Sequence, residues 1–309
     1  MVIAVIGASG FIGLQLVNKL LKNGHDIRVL SRKNSFPLDN VNHFKGDLLC
    51  SNFDFNKFLK NVDILYNCSG NLHHENLMYD LHVVAIENLL KISVGNIKKW
   101  IQLGSVGSYG LLSKLDINES CTEHPTNIYE RTKTLSDNLV KKSGIPYVIV
   151  RPSNIFGKTM TNQSLFQLMK IIKSGCYFHI GCKDSVVNYV HIDDVINGLI
   201  ECGINDAALN NVFIISQFTK TTNMITSFKN GMGINRRHLH MSENFVRTCS
   251  KLISLFYKSF PLTEARIDAL TYKKVYKSEK ILNNLNFEFI KSLDDRLLEF
   301  AQEVKHSQR

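Results

Sequence analysis

Val2-Ile-Ala-Val-Ile6-Gly7-Ala-Ser9-Gly10-Phe-Ile-Gly13 is the stretch on which the fold turns. Residues 2–6 are apolar and mostly β-branched, which reads as a buried strand, and Gly7 ends it. From Phe11 to Asn23 apolar residues recur with helical period, and Gly24 is the stop. The three glycines therefore stand where a strand ends and a helix begins. In that setting Gly7 permits a tight turn, Gly10 lets the backbone approach a pyrophosphate, and Gly13 lets the helix pack closely on the sheet. The free N–H groups and partial positive charge of the helix N-terminus complete an anion cradle. An ordinary glycine-rich turn is the competing reading, and the strand–turn–helix context favours the cradle.

Working outward, Ile27–Leu30 reads as a second strand, and further apolar runs follow at 41–44, 62–66, 100–103 and 147–150. Helical stretches near 76–95 and 127–143 separate the later runs. Strands alternating with helices predict an α/β chain: a Rossmann-like, doubly wound parallel sheet with helices on both faces. After Arg151 the rhythm changes to a helix over 164–173, a strand at 186–190, a helix over 193–202 and a strand near 212–215. This predicts a dinucleotide-binding domain over 1–155, with returns near 186–215. A smaller, mostly helical substrate domain follows over 156–309. The run Leu252-Ile-Ser-Leu-Phe-Tyr257 is read as a buried helix of that smaller domain, with a membrane-surface helix as the alternative because Lys251 and Lys258 flank it.

The chain has 309 residues, 44% hydrophobic and 21% charged, enough to bury a large core. No apolar run approaches the ~20 residues that span a bilayer. The N-terminal apolar run lacks a basic flank and enters a glycine turn directly, so it reads as a strand and not as a signal peptide; a cytoplasmic protein is expected. Seven cysteines (50, 68, 121, 176, 182, 202 and 249), widely spaced and without a Cys-x-x-Cys, read as reduced thiols. His73-His74 has no paired ligands nearby and predicts no metal site. The formal charge of +10 suits an anionic small molecule. Its lysines are dispersed without aromatic interleaving, so no nucleic-acid partner is expected.

Chemistry concentrates at Tyr129 and Lys133 in Asn-Ile-Tyr-Glu-Arg-Thr-Lys. One helical turn apart, they share a face, so the ammonium is expected near the phenol. A positive charge there lowers a tyrosine pKa from about 10 and makes Tyr129 a usable general base or acid. Ser105 upstream would hydrogen-bond the substrate oxygen. At the end of the second strand, Ser31-Arg32-Lys33 stands where an NAD site usually carries an acid, so Arg32 leans towards the 2′-phosphate of NADP. Asp47 is placed to accept from the adenine amino group.

These motifs resemble the extended short-chain dehydrogenase/reductases, in particular the sugar-nucleotide epimerases and dehydratases. They run in that family's order along nearly the whole chain: Gly-Ala-Ser-Gly-Phe-Ile-Gly (7–13), Gly-Asp-Leu (46–48), Gly-Ser-Val-Gly-Ser-Tyr-Gly (104–110), Tyr129 to Lys133, Arg-Pro-Ser-Asn-Ile-Phe-Gly (151–157) and Asn-Tyr-Val-His-Ile-Asp-Asp-Val (188–195). The resemblance implies Ser105, Tyr129 and Lys133 as catalytic residues. It implies NAD(P) contacts at Gly7, Ser9, Gly10, Phe11, Ile12, Gly13, Ser31, Arg32, Asp47, Leu48, Cys68, Tyr129 and Lys133. Asn154 matches a substrate-contacting asparagine. Residues 161–166 and Pro261–Arg266 look like the subgroup of surface-polysaccharide pathways, which implies a nucleoside-diphosphate hexose or N-acetylhexosamine. A homodimer formed through the helices near 76–95 and 127–143 is also implied.

The departures from the family pattern shape the expectation. Val106-Gly107 replaces the Asp-Glu pair of the 4,6-dehydratases, which disfavours dehydration. Val187 replaces a diphosphate-binding arginine, leaving Arg266, or Arg236 and Arg237, to supply that charge. His82 stands for a common asparagine, and His191 is read as structural. The expected activity is 4-epimerisation through a 4-keto intermediate, with NAD expected for a self-contained epimerase. The alternatives are an NADPH-dependent 4-keto reductase and a non-catalytic dinucleotide sensor.

Overall fold

Alternation along the first strand decides how the sheet is covered. In β1 (Val2–Ile6), Ile3 and Val5 enter one apolar cluster while Ala4 and Ile6 enter another, on the opposite face. The first cluster is filled by Leu16, Val17 and Leu20 of the helix Phe11–Lys22 and by Val195, Ile196 and Leu199 of the helix Ile192–Ile204. The second is filled by Ile86, Leu89 and Leu90 of the helix Ala85–Ser93 and by Val140 of the helix Ile128–Lys142. A strand apolar on both sides is thus covered on both sides, as a parallel sheet requires.

In this computed structural model, which describes residues 1–50, 52–72, 74–110, 112, 115–181, 185–236, 239–256 and 262–307, β1 lies inside a seven-stranded sheet. Its other strands are β2 (Asp26–Ser31), β3 (Val41–Lys45), β4 (Val62–Asn67), β5 (Ile97–Leu103), β6 (Tyr147–Pro152) and β7 (Asn211–Ile215). The order is β7-β6-β5-β4-β1-β2-β3, with every pair parallel. Ile3 pairs with Ile27 on one side and Ile64 on the other. The chain reverses its direction of winding between β1 and β4, and the crevice outside the carboxyl ends of those two strands is where such sheets bind ligands.

Beside the large sheet, Val186–His191 pairs parallel with Asn154–Phe156 and antiparallel with Gln217–Lys220. A third apolar cluster joins Phe156 and Met160 to the helices Ser164–Ser174, Thr221–Met232 and Leu293–Ser307. The last two helices approach so closely that a Cβ on Gly231 would stand 2.5 Å from the Leu298 carbonyl oxygen.

Two details differ from the sequence reading. The helical stretch after β4 is interrupted: α-helix over Glu75–Tyr79, a π turn over Asp80–Val84, then α-helix again over Ala85–Ser93. The π turn carries His82 inward, where it is buried. The run expected to be a buried helix begins exposed. Leu252 and Ile253, in the helix Glu243–Phe256, are 55% and 40% exposed. The cluster of Ile180, Val246 and Ile267 covers this helix around Val246, and Ser250 is still buried. Tyr257 and Lys258 lie outside the described residues.

Gly13 ties fold to cradle. A Cβ there would stand 2.3 Å from the Gly7 carbonyl oxygen and 2.9 Å from the Ala8 Cα, backbone atoms that cannot swing aside. Gly13→Ala should therefore lower stability by about 1–3 kcal/mol despite alanine's better helix propensity. Urea unfolding of both proteins measures it, and an unchanged midpoint would show that the turn yields freely.

Candidate active site

The turn after β1 is pressed against the end of β4. Gly7 has φ +71°, and a Cβ on it would stand 2.5 Å from the Cys68–Ser69 backbone. The following helix starts at Gly10 with no side-chain cap and no acidic residue in its first turn. Its first N–H donors are left without a side-chain partner, as a phosphate-binding terminus requires. Ser9 is exposed on this turn, while Phe11 and Ile12 are half-buried beside it. This cradle fits the diphosphate of a dinucleotide.

At the end of β2, Ser31 is buried and shares a 3.0 Å hydrogen bond with His43 Nε2 on the neighbouring β3. Arg32 is 81% exposed, and its guanidinium lies 3.8 Å from the Asp47 carboxylate, which also accepts from the Leu49 N–H at 3.1 Å. Leu48 packs at the margin of an apolar cluster. His43 was not singled out from the sequence. Its partnership with Ser31 arises only when β2 and β3 become neighbours.

Asn127 and Glu130 form a capping box that fixes where the helix Ile128–Lys142 begins: Asn127 Oδ1 accepts from the Glu130 N–H at 2.9 Å, and Glu130 reaches back to the Asn127 N–H. Tyr129, Lys133 and Asp137 then fall on one face, each four residues from the last. Ser105 lies just past β5, where its hydroxyl accepts from the Gly107 N–H at 3.1 Å and reaches the Tyr129 phenol.

The expected phenol–ammonium arrangement needs correcting. Lys133 Nζ donates to the Leu103 carbonyl oxygen at 2.6 Å, so its charge is drawn towards the end of β5. Burial, and then the Asp137 carboxylate, push the Tyr129 pKa up to about 12, with the Ser105 hydrogen bond opposing them. Burial also lowers the Lys133 pKa, against the pull of Asp137. A spacing of four gives a shared face, but the nearest unpaired carbonyl decides where a flexible ammonium points.

His82 meets this group from the π turn. Its ring stands edge-on to Tyr129, with centroids 5.8 Å apart. Nε2 accepts from the Asn71 N–H at 3.0 Å, and Nδ1 lies 2.9 Å from Thr132 Oγ1, which itself donates to the Ile128 or Tyr129 carbonyl. That network assigns the proton to Nδ1 and leaves no place for a second. Burial, with the Lys133 charge second, lowers the His82 pKa to about 3.

Gly10, Phe11, Ile12, Cys68, Ser105, Tyr129, Lys133 and Asn154 line one cleft of about 540 Å³. Ser69, Asn71, Ser153, Thr161, Asn162 and Ser164, none of which was put forward as a site residue, add polar groups to its wall. Asn154 also donates to the Asn188 carbonyl at 3.2 Å. Arg266 lies outside this lining, exposed on the helix Glu264–Thr271, and donates to Gln167 at 2.9 Å. Val187 is buried in the small sheet, and Arg236 lies against Gly175 at the far end of the helix Ser164–Ser174. Arg237, Pro261, His73 and Cys182 lie outside the described residues. Among the described residues the cysteines are free, and no cluster of potential metal ligands occurs.

Because His82 stays neutral when folded until about pH 3, while an unfolded histidine protonates near 6.5, the unfolded chain binds the extra proton between those values. This contribution to stability is complete above pH 6.5 and is lost as pH falls, by at most about 1.4 kcal/mol per pH unit. His82→Asn, which cannot titrate, should flatten that acid limb in unfolding midpoints followed from pH 7 to 4. Identical limbs in the two proteins would refute the assignment.

Comparison with known proteins agrees with this geometry. The profile of the NAD dependent epimerase/dehydratase family matches residues 3–209. Over 211 residues the chain is 26% identical to the human sterol-4-alpha-carboxylate 3-dehydrogenase, decarboxylating, covering 63% of this chain and 56% of that one. Over 176 residues it is 29% identical to the UDP-glucose 4-epimerase of Lactobacillus helveticus, covering 51% and 52%. The chain thus spans a little over half the length of these curated relatives. The crystal structure of UDP-glucuronic acid 4-epimerase from Bacillus cereus in complex with NAD superposes over the full length of both chains with a TM-score of 0.77 at 18% identity, a likeness of fold. With the cradle, the sheet order and a match over two-thirds of its length, the chain belongs to the NAD dependent epimerase/dehydratase family.

Proposed function

We propose that the protein is an NAD(P)-dependent 4-epimerase of nucleoside-diphosphate sugars, acting through a 4-keto sugar. The observation that carries this reading is the meeting of Ser105, Tyr129 and Lys133 in one cleft with the uncapped helix terminus at Gly10. Tyr129 takes the proton of the sugar 4-hydroxyl and later returns it, while Ser105 holds the oxygen by a hydrogen bond. The nicotinamide, when bound, supplies the acceptance and return of hydride. Gly7, Gly10 and Gly13 would hold its diphosphate, and Lys133 its ribose. The cleft's volume lies within the ~300–1,000 Å³ usual for small-ligand sites. Its serine and asparagine wall suits a polyhydroxylated substrate. The segment 161–166 supports a surface-polysaccharide sugar, and the cofactor and substrate class support a cytoplasmic reaction.

A second reading is favoured at one place. Arg32 at the end of β2, with the hydrogen-bonded Ser31 and His43 beside it, supports NADP with its 2′-phosphate, and with it a 4-keto-sugar reductase consuming NADPH. Incubating the protein with UDP-, dTDP- and GDP-sugars, while following product isomers and absorbance at the nicotinamide band, separates the two. The epimerase reading expects many turnovers on catalytic cofactor, and at least a ~10²-fold loss of rate in Tyr129→Phe with cofactor affinity retained. Stoichiometric NADPH consumption would replace it with the reductase, and full activity of Tyr129→Phe would overturn both.

A second copy of the chain is the partner proposed for the face formed by the stretch 75–93 and the helix Ile128–Lys142. Leu77, Val84, Ile128 and Leu135 are exposed there, apolar side chains on helical elements that pack against one another. Sedimentation should show a dimer at micromolar concentration and a monomer for Leu135→Glu; a monomeric parent protein would remove the proposal.

A further inference from the structure

Away from the cleft, the helices Ser164–Ser174, Thr221–Met232 and Leu293–Ser307 enclose a second pocket of about 250 Å³. Phe166, Met169, Met232 and Val304 form its apolar surface, and Lys170, Lys173 and Lys305 surround it. No acidic residue is among the lining residues, and none of the three lysines forms an ion pair with a described residue. Lys173 and Lys305 each have an ordinary reason to be where they are, since both occupy the last turn of a helix, where a cation is favoured. That reason does not extend to the apolar hollow between them. Three cationic side chains bordering one apolar hollow, with no acidic residue in its lining, favour an anion over a cation there. Lysine stems can also lie along an apolar tail while their heads meet its charge. Two methionines make the walls adaptable to an alkyl chain.

We propose that this pocket binds an amphiphilic anion, an alkyl tail of medium length ending in a carboxylate or a phosphate. The volume falls below that of drug-sized sites, about 300–1,000 Å³, which limits the tail. The head meets Lys170, Lys173 and Lys305, and the tail lies on Met169, Met232 and Phe166. The helix Ser164–Ser174 has Ser164 and Leu165 on the catalytic cleft and Met169 on this pocket, so one rigid element borders both.

The test is isothermal titration calorimetry of the full chain with decanoate and with decyl phosphate, each below its micellar concentration. Decyl maltoside, decyltrimethylammonium and inorganic phosphate serve as controls. The expected result is saturable binding of one anionic amphiphile per chain. It should be weakened at least tenfold in the triple variant Lys170→Gln, Lys173→Gln, Lys305→Gln and unchanged in Tyr129→Phe. The three lysines are surface residues whose replacement leaves the apolar packing in place, and the variant's unfolding midpoint checks that it folds. Binding of decanoate alone identifies a carboxylate head, binding of decyl phosphate alone a phosphate head, and either supports the proposal. Equal binding of the neutral or cationic amphiphile, equal binding by the triple variant, or no binding of either anion would overturn it.

Discussion

The buried pair of Arg151 and Asp137 is the interaction on which the arrangement of the cleft depends. Arg151, 1% exposed at the end of β6, donates through Nε to Asp137 Oδ2 at 3.0 Å, and through Nη2 to Glu123 Oε1 at 2.6 Å. Its guanidinium also lies over the Tyr109 ring, 5.1 Å from the centroid. One side chain thereby joins the sheet, the helix Ile128–Lys142, the loop at 123 and the turn that follows Ser105. Bringing these charges out of water costs several kcal/mol per ion, so the pair is weak evidence of stability in itself. What it fixes is rotation: Asp137 is two turns along from Tyr129 on the same helix face, and holding it on Arg151 holds Tyr129 and Lys133 towards Ser105. Gly104 makes room for this, because a Cβ there would stand 2.9 Å from Asp137 Oδ2 and 3.0 Å from Arg151 Cγ.

A second buried network sets the other edge of the cleft. Gln102 accepts from Asn67 and from Trp100 Nε1, both at 2.9 Å, and donates to Ser136 on the helix Ile128–Lys142 at 3.1 Å. Asn67 in turn accepts from Ser69 through both the backbone N–H and the hydroxyl. The ends of β4 and β5 are therefore tied to each other and to the helix beside them, and the segment 68–71 leaves β4 in a fixed direction. His82 continues this from the far side by joining Asn71 to Thr132. Each member of such a chain is satisfied by the next, which makes the set costly to rearrange in part.

The inner strands β1, β4 and β6 were legible in the sequence because burial on both faces demands a short, largely apolar run, whereas β3 at the sheet edge, Val-Asn-His-Phe-Lys, is only partly buried. The cradle was legible for a local reason: the contacts that require Gly13 to be a glycine come from Gly7 and Ala8, a few residues away. Ser105, Tyr129 and Lys133 were singled out by their order and spacing, and they line one cleft. What escaped was long-range. The direction of the Lys133 ammonium depends on the Leu103 carbonyl, thirty residues upstream. Asp137 reads from sequence as an ordinary helix residue until Arg151 meets it. The exposure of Leu252 depends on how far Ile180 and Ile267 reach along a helix that neither adjoins in sequence.

The protonation state of the cleft follows from the same burial that builds it. With its pKa near 12, the Tyr129 phenol keeps its proton at neutral pH, so the group stands ready as an acid and must be shifted to act as a base. Asp137 works against that shift, since its negative charge disfavours phenolate, yet the same carboxylate supports the charge on buried Lys133. The two effects belong together, because a lysine that lost its proton could not lower the tyrosine at all. An ammonium has three donors, and the Leu103 carbonyl takes one. Two remain for other acceptors in the cleft. His82, held neutral by its two hydrogen bonds, adds no charge to compete with them. Among the described residues that line the cleft, Lys133 is the one cation, and Asp137 supports its charge.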